Sequence, residues 1–118
     1  MWHHRPMPNA SLWVASTLAV KGLARALAVE LASRDVRVNV VSHGPVDTPI
    51  HSQYGMPAAE VEAMKNGLGA GTLIGRMGTP DEIAEMALML LSRGGGFVTG
   101  AEVVCDGGWT LVGTRGEG

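Results

Sequence analysis

The chain has 118 residues, room for one domain; 46% are apolar and 17% charged, and the formal net charge is -2. That composition excludes intrinsic disorder and offers no basic excess for nucleic acid or an anionic membrane surface. A lone cysteine, Cys105, excludes an internal disulfide framework; residues 1–6 lack a signal-peptide core, and no run of about 18 uncharged apolar residues is present to span a membrane, so a reducing, cytoplasmic setting is expected.

Residues 1–10 read as an extended lead-in, since Pro6 and Pro8 disfavour helix just before them. From about Ser11 to Ser33, Ala, Leu, Lys, Arg and Glu predict a helix, with Asn9 or Ser11 as its cap. Apolar residues cover most of its circumference, which predicts burial on two sides. Four valines in Val36–Val41 predict a strand. A loop over residues 42–49 follows, then a short helix over 57–66 and a glycine-rich loop from Gly67 to Gly78. Thr79-Pro80-Asp81-Glu82 spells a helix start, with Thr79 as N-cap, Pro80 first in the helix and Glu82 closing a capping box. That helix runs to about Ser92, a second strand spans Ala101–Cys105, Asp106 shapes the turn at Gly107-Gly108, and the tail from Gly113 is expected to be disordered.

Helix, strand, helix, helix, strand argues for α/β layering with parallel strands. Two strands do not make a stable parallel sheet, so residues 11–112 read as part of a doubly wound sheet domain.

Four stretches carry a family resemblance: Ala15 to Ala32, Val36 to Pro49, Gly75 to Ala84, and Val98 to Gly108. In this order they resemble the active-site helix, the following strand and cofactor loop, the next helix start and the final strand of the short-chain dehydrogenase/reductase family. The resemblance implies the C-terminal half of a Rossmann-like domain, NAD or NADP as cofactor, and a small alcohol or carbonyl substrate. It places Gly44, Val46 and Thr48 at the nicotinamide: the Val46 backbone on the carboxamide, the Thr48 hydroxyl on the amide or a phosphate, and Gly44 leaving room for the ring.

Two features depart from the family. No strand here is followed by a glycine-rich turn that would hold a pyrophosphate, and the family's active-site serine falls at or before Met1. The Tyr-x-x-x-Lys pair, which shares one helix face, is replaced by Trp13 and Thr17. An indole N–H only donates, and a threonine carries no charge, so neither half of the acid–base device is intact.

Other candidates read as structural. Lys21 lies about 6 Å further along the helix than Thr17 and reads as a solvated lysine. Tyr54 reads as a surface or packing residue in the stretch resembling a substrate loop, and His43 as a tolerated replacement for a proline. His3-His4 do not build a metal site, and Cys105 reads as a small hydrophobe. Trp109 and Leu111 are expected at a subunit contact, and Met56, Met64, Met77, Met86 and Met89 as core filling or the lining of an apolar pocket. The expected function is an oxidoreductase fragment, catalytically silent as a lone chain. Alternatives are a non-catalytic module pairing with an intact family subunit or a truncated reading frame, and the expected partner is a second copy in a homo-oligomer or a subunit of the family.

Overall fold

The computed structural model describes residues 8–112; the expected lead-in at residues 1–7, with His3 and His4, and the tail from Gly113 lie outside them, as does the side chain of Tyr54. The elements are α1 (Ser11–Leu31), β1 (Val40–His43), α2 (Ala58–Ala70), α3 (Pro80–Leu91) and β2 (Glu102–Cys105), with short 3-10 turns at Ala32–Arg34, Pro49–Tyr54 and Arg93–Gly95.

β1 and β2 pair in parallel, with Val40 opposite Glu102 and His43 opposite Cys105. The strand begins later than the valine run predicts. Residues 36–39 are held instead by bonds to the segment before β2: Gly100 N–H to the Val38 carbonyl at 2.7 Å, and Asn39 Nδ2 to the Val98 carbonyl at 2.8 Å. The Asn39 carboxamide oxygen also accepts the Ala101 N–H. Val40 and Gly44 donate to Ala101 and Cys105 of the partner segment. The N–H and C=O groups of Val41 and His43, by the alternation of a parallel ladder, face away from β2 along an edge with no strand on it among the described residues.

α1 docks on the sheet through Ala24 and Ala28, the latter 3.6 Å from where a Cβ on Gly100 would stand. Lys21 reaches Glu102 of β2 at 2.6 Å, and the Ser42 hydroxyl donates to the same carboxylate at 2.6 Å. Two sequence expectations fail on this helix. Its start is Ala10, which has no side chain to cap it, so neither Asn9 nor Ser11 does so. Its flanks are not buried on two sides: Leu12, Leu18, Val20, Leu23 and Val29 are exposed, because only one face meets the sheet. Ser11–Arg34 is long and apolar enough to cross a membrane by length and composition, although Lys21, Arg25 and Glu30 interrupt it and it contains no uncharged run of about 18 apolar residues. Its Lys21–Glu102 pair ties it to the sheet here.

α2 extends to Ala70, four residues past the expected end, through Gly67 and Gly69. Gly69 is buried against Arg76 and Met77, where a Cβ would lie 3.1 Å from the Met77 nitrogen. α3 starts as its sequence dictates. The Thr79 hydroxyl accepts the Glu82 N–H, the Glu82 carboxylate accepts the Thr79 N–H at 2.8 Å, and Pro80 occupies the first turn. Trp109 is buried within the chain against Gly71 rather than held out for a subunit contact, whereas Leu111 is exposed.

Candidate functional site

Trp13, Thr17 and Lys21 recur every four residues and so share one face of α1. That face looks onto the C-terminal end of β1 and the loop that leaves it. Trp13, Thr17, Lys21, His43, Gly44, Val46 and Thr48 together line one cavity of about 470 Å³, with Met77. All five residues singled out for the family site therefore meet in one place.

The loop geometry explains what each can offer. Val46 forms an isolated parallel bridge with Gly78, in which Asp47 N–H donates to the Gly78 carbonyl and Gly78 N–H donates to the Pro45 carbonyl, each at 2.9 Å. The bonds of such a bridge belong to the flanking residues, so the N–H and C=O of Val46 itself point the other way. No backbone hydrogen bond among the described residues uses them. A donor and an acceptor side by side match the edge of a carboxamide. Thr48 precedes the Pro49–Tyr54 turn, and its hydroxyl does not cap it. Lys65 pairs with Asp47 at 2.6 Å and ties α2 to this loop.

Gly44 has a second reason to be glycine. A Cβ there would stand 2.5 Å from the Asp106 Cα, so the two strand ends approach too closely for any side chain. His43 Nδ1 lies 3.0 Å from the Gly44 carbonyl. Lys21 corrects the solvated reading: its side chain is only 18% exposed, and it holds Glu102 beside the cavity. Of the methionines, Met77 lines this cavity and Met86 a second one, while Met89 is exposed.

The second cavity, about 480 Å³, lies between α3 and the turn after β2, with Arg76, Glu82, Cys105 and Asp106 on its walls. Burial alone would raise the Asp106 carboxyl, but bonds from the Thr110 hydroxyl and N–H and from the Gly108 N–H, at 2.7–2.9 Å, bring it below its ordinary value. These bonds spend the carboxylate on shaping the turn. Burial, then the nearby Asp106, raise the Cys105 thiol, so it is a poor nucleophile. The Glu82 carboxyl falls to about 2, chiefly through the bidentate bonds from Arg76.

Thr72, which the sequence reading passed over, organises the glycine-rich segment. Its hydroxyl accepts the Gly75 N–H at 2.9 Å and the Arg76 N–H at 3.2 Å. A threonine inside a glycine cluster was the available signal.

A pyrophosphate cradle is another matter. β1 leads into Gly44-Pro45 and a 3-10 turn, and β2 into the Asp106 turn; among the described residues no strand feeds a glycine-rich turn that opens an α-helix.

A family model described as enoyl-(acyl carrier protein) reductase matches residues 1–110. Cyclohexanol dehydrogenase of an Acinetobacter species is 37% identical over 102 residues, which cover 86% of this chain and 37% of that protein. Inactive 2-(S)-hydroxypropyl-CoM dehydrogenase 2 of Xanthobacter autotrophicus is 39% identical over 107 residues, covering 90% of this chain and 46% of that one. Among solved structures, a small-chain dehydrogenase in complex with NADPH superposes with a TM-score of 0.82 at 28% identity, covering 94% of this chain and 48% of that one. The chain spans less than half the length of each.

Proposed function

The chain belongs to the short-chain dehydrogenase/reductase family, and from that membership we propose that it carries the nicotinamide- and substrate-facing side of an NAD(P)-dependent alcohol–carbonyl oxidoreductase site, stripped of its acid–base pair. One observation carries the reading: Trp13, Thr17, Gly44, Val46 and Thr48 converge on a single cavity. Val46 would meet the carboxamide with its N–H and C=O, and Thr48 the amide or a phosphate with its hydroxyl. A nicotinamide bound there supplies hydride exchange with a small alcohol or carbonyl compound. The proton is where this chain falls short. The indole of Trp13 donates a hydrogen bond but does not give up its proton, and Thr17 brings no charge to lower a neighbour's pKa. Lys21, the cation beside them, is engaged by Glu102.

As a separate polypeptide these 118 residues are catalytically silent in this reading. That a Xanthobacter relative is itself named inactive is in keeping with this reading. Incubation with NADPH or NADH and a panel of ketones should give no oxidation above a heat-killed control, and steady oxidation overturns the reading. Changing Trp13→Tyr and Thr17→Lys together in the chain alone should not restore turnover, because among the described residues no strand feeds a glycine-rich turn that would hold the pyrophosphate.

A second reading rests on the open β1 edge and the exposed flank of α1: a non-catalytic module that pairs with another family subunit or with itself. Co-purification with a full-length reductase at fixed stoichiometry supports it, and its failure with every family member tried removes it. Cys105 as a free thiol suits a reducing, cytoplasmic setting.

A further inference from the structure

The cations beside the candidate cavity are engaged by carboxylates of the chain itself. Lys21, on the cavity wall, meets Glu102 at 2.6 Å. Lys65, three residues before the wall residue Leu68 on α2, meets Asp47 at 2.6 Å. Arg76, next to the wall residue Met77, forks onto Glu82 at 2.9 and 2.6 Å and lines the other cavity. The remaining titratable wall residue among those described, His43, has its Nδ1 3.0 Å from the Gly44 carbonyl.

Beyond α1 and the loop after β1, the described wall is made by Ile50, Leu68 and Met77, from the Pro49–Tyr54 turn, from α2 and from the segment before α3. Their side chains carry no charge and no hydrogen-bond donor. Thr17 brings a neutral hydroxyl to the same cavity. A carboxylate or phosphate set against this wall would lose water without gaining a partner, a far larger cost than burying an uncharged carbonyl group.

Resting on the nicotinamide reading above, we infer that the substrate is an uncharged, compact, largely apolar ketone or the corresponding secondary alcohol, seated against Ile50, Leu68 and Met77. A cavity of about 470 Å³ has room for such a molecule. Selection is by missing counter-charge: a ligand with a carboxylate or phosphate at this wall is rejected. Leu68 and Met77 are then specificity-determining positions, because a cation at either would supply what the wall lacks.

Acetophenone and benzoylformate are the probes, a carboxylate in the second replacing the methyl group of the first. Titration calorimetry on the full chain at neutral pH should show acetophenone binding at least about 10-fold more tightly, a modest part of the cost of an unpaired charge. Leu68→Arg and Met77→Lys, each checked for unchanged circular dichroism, should narrow or reverse that preference by strengthening benzoylformate. Equal or tighter binding of benzoylformate by the unaltered chain overturns the inference, as does a preference that neither folded variant changes. Nicotinamide itself separates the two readings. If it binds and acetophenone does not, the inference falls and the nicotinamide reading stands. If acetophenone binds and nicotinamide does not, the nicotinamide reading falls and the charge selectivity of the wall stands. Binding of none of the three overturns both.

Discussion

The segment from Gly71 to Thr110 and the α1–β1 side are built on different terms. In the first, polar groups are satisfied close by in sequence. The Thr72 hydroxyl takes two N–H groups of its own loop, Asp106 takes those of Gly108 and Thr110, and Arg76 clasps the helix cap of α3 through Glu82. Trp109 is buried over Gly71. The second region has few such local bonds, and its demands are long-range ones: apolar side chains along the outer flank of α1 and a β1 edge with no strand on it among the described residues, demands that the first region shares at Leu88, Leu91, Phe97 and the outer edge of β2. Short-range polar closure needs only neighbouring residues, whereas an apolar flank and a strand edge need another element of structure.

The largest expected consequence is in solution. The chain should not sediment as a single monomer with a sharp thermal transition; it should dimerise, aggregate or keep helical circular dichroism without cooperative melting. A monomer with a steep transition would show that the α1 side closes on itself and would erase the contrast. Next is Gly44→Ala, at the point where the two regions touch. Pushing a Cβ against the Asp106 backbone should cost about 1–3 kcal/mol and speed hydrogen exchange at the Val40 and Gly44 amides. Unchanged exchange there would mean that the strand ends yield freely.

Smaller effects belong to the self-satisfied region. Thr79→Ala removes the cap of α3 and should cost about 1 kcal/mol, seen as faster exchange at the first amides of that helix only. The Glu82 carboxyl, held at about 2, adds a pH dependence of defined sign. A depressed carboxylate stabilises the folded state fully above its ordinary value of 4.5 and loses that contribution as pH falls through about 2. Protection at the start of α3 should therefore decline between these values and stay constant above them. Glu82→Gln should flatten the decline, and an unchanged decline would assign it to another group.

What could be read in the sequence follows the same division. The capping box of α3, the turn at Asp106 and the two parallel strands were all legible, because local residues determine them. Trp13, Thr17, Gly44, Val46 and Thr48 were singled out through the family resemblance, and they line one cavity. Long-range facts were missed. Periodicity alone cannot report that Lys21 bonds to a strand 81 residues later, that Asn39 is used by Val98 and Ala101, or that only one face of α1 finds a neighbour. The late start of β1 has the same origin: the valines favour extension, but pairing depends on where the second strand begins.

The central claim is that the cavity retains its nicotinamide side but has lost its proton-transfer pair. The most direct measurement joins the preceding segment of an active relative, such as the cyclohexanol dehydrogenase, to residues 8–118 and assays alcohol oxidation with and without Trp13→Tyr and Thr17→Lys. The account predicts a silent fusion with Trp13 and Thr17 in place, and turnover at least about 10²-fold higher once both are changed, the scale of general acid–base catalysis. Equal turnover by the two fusions would contradict it, since Trp13 and Thr17 would then support the chemistry as they stand.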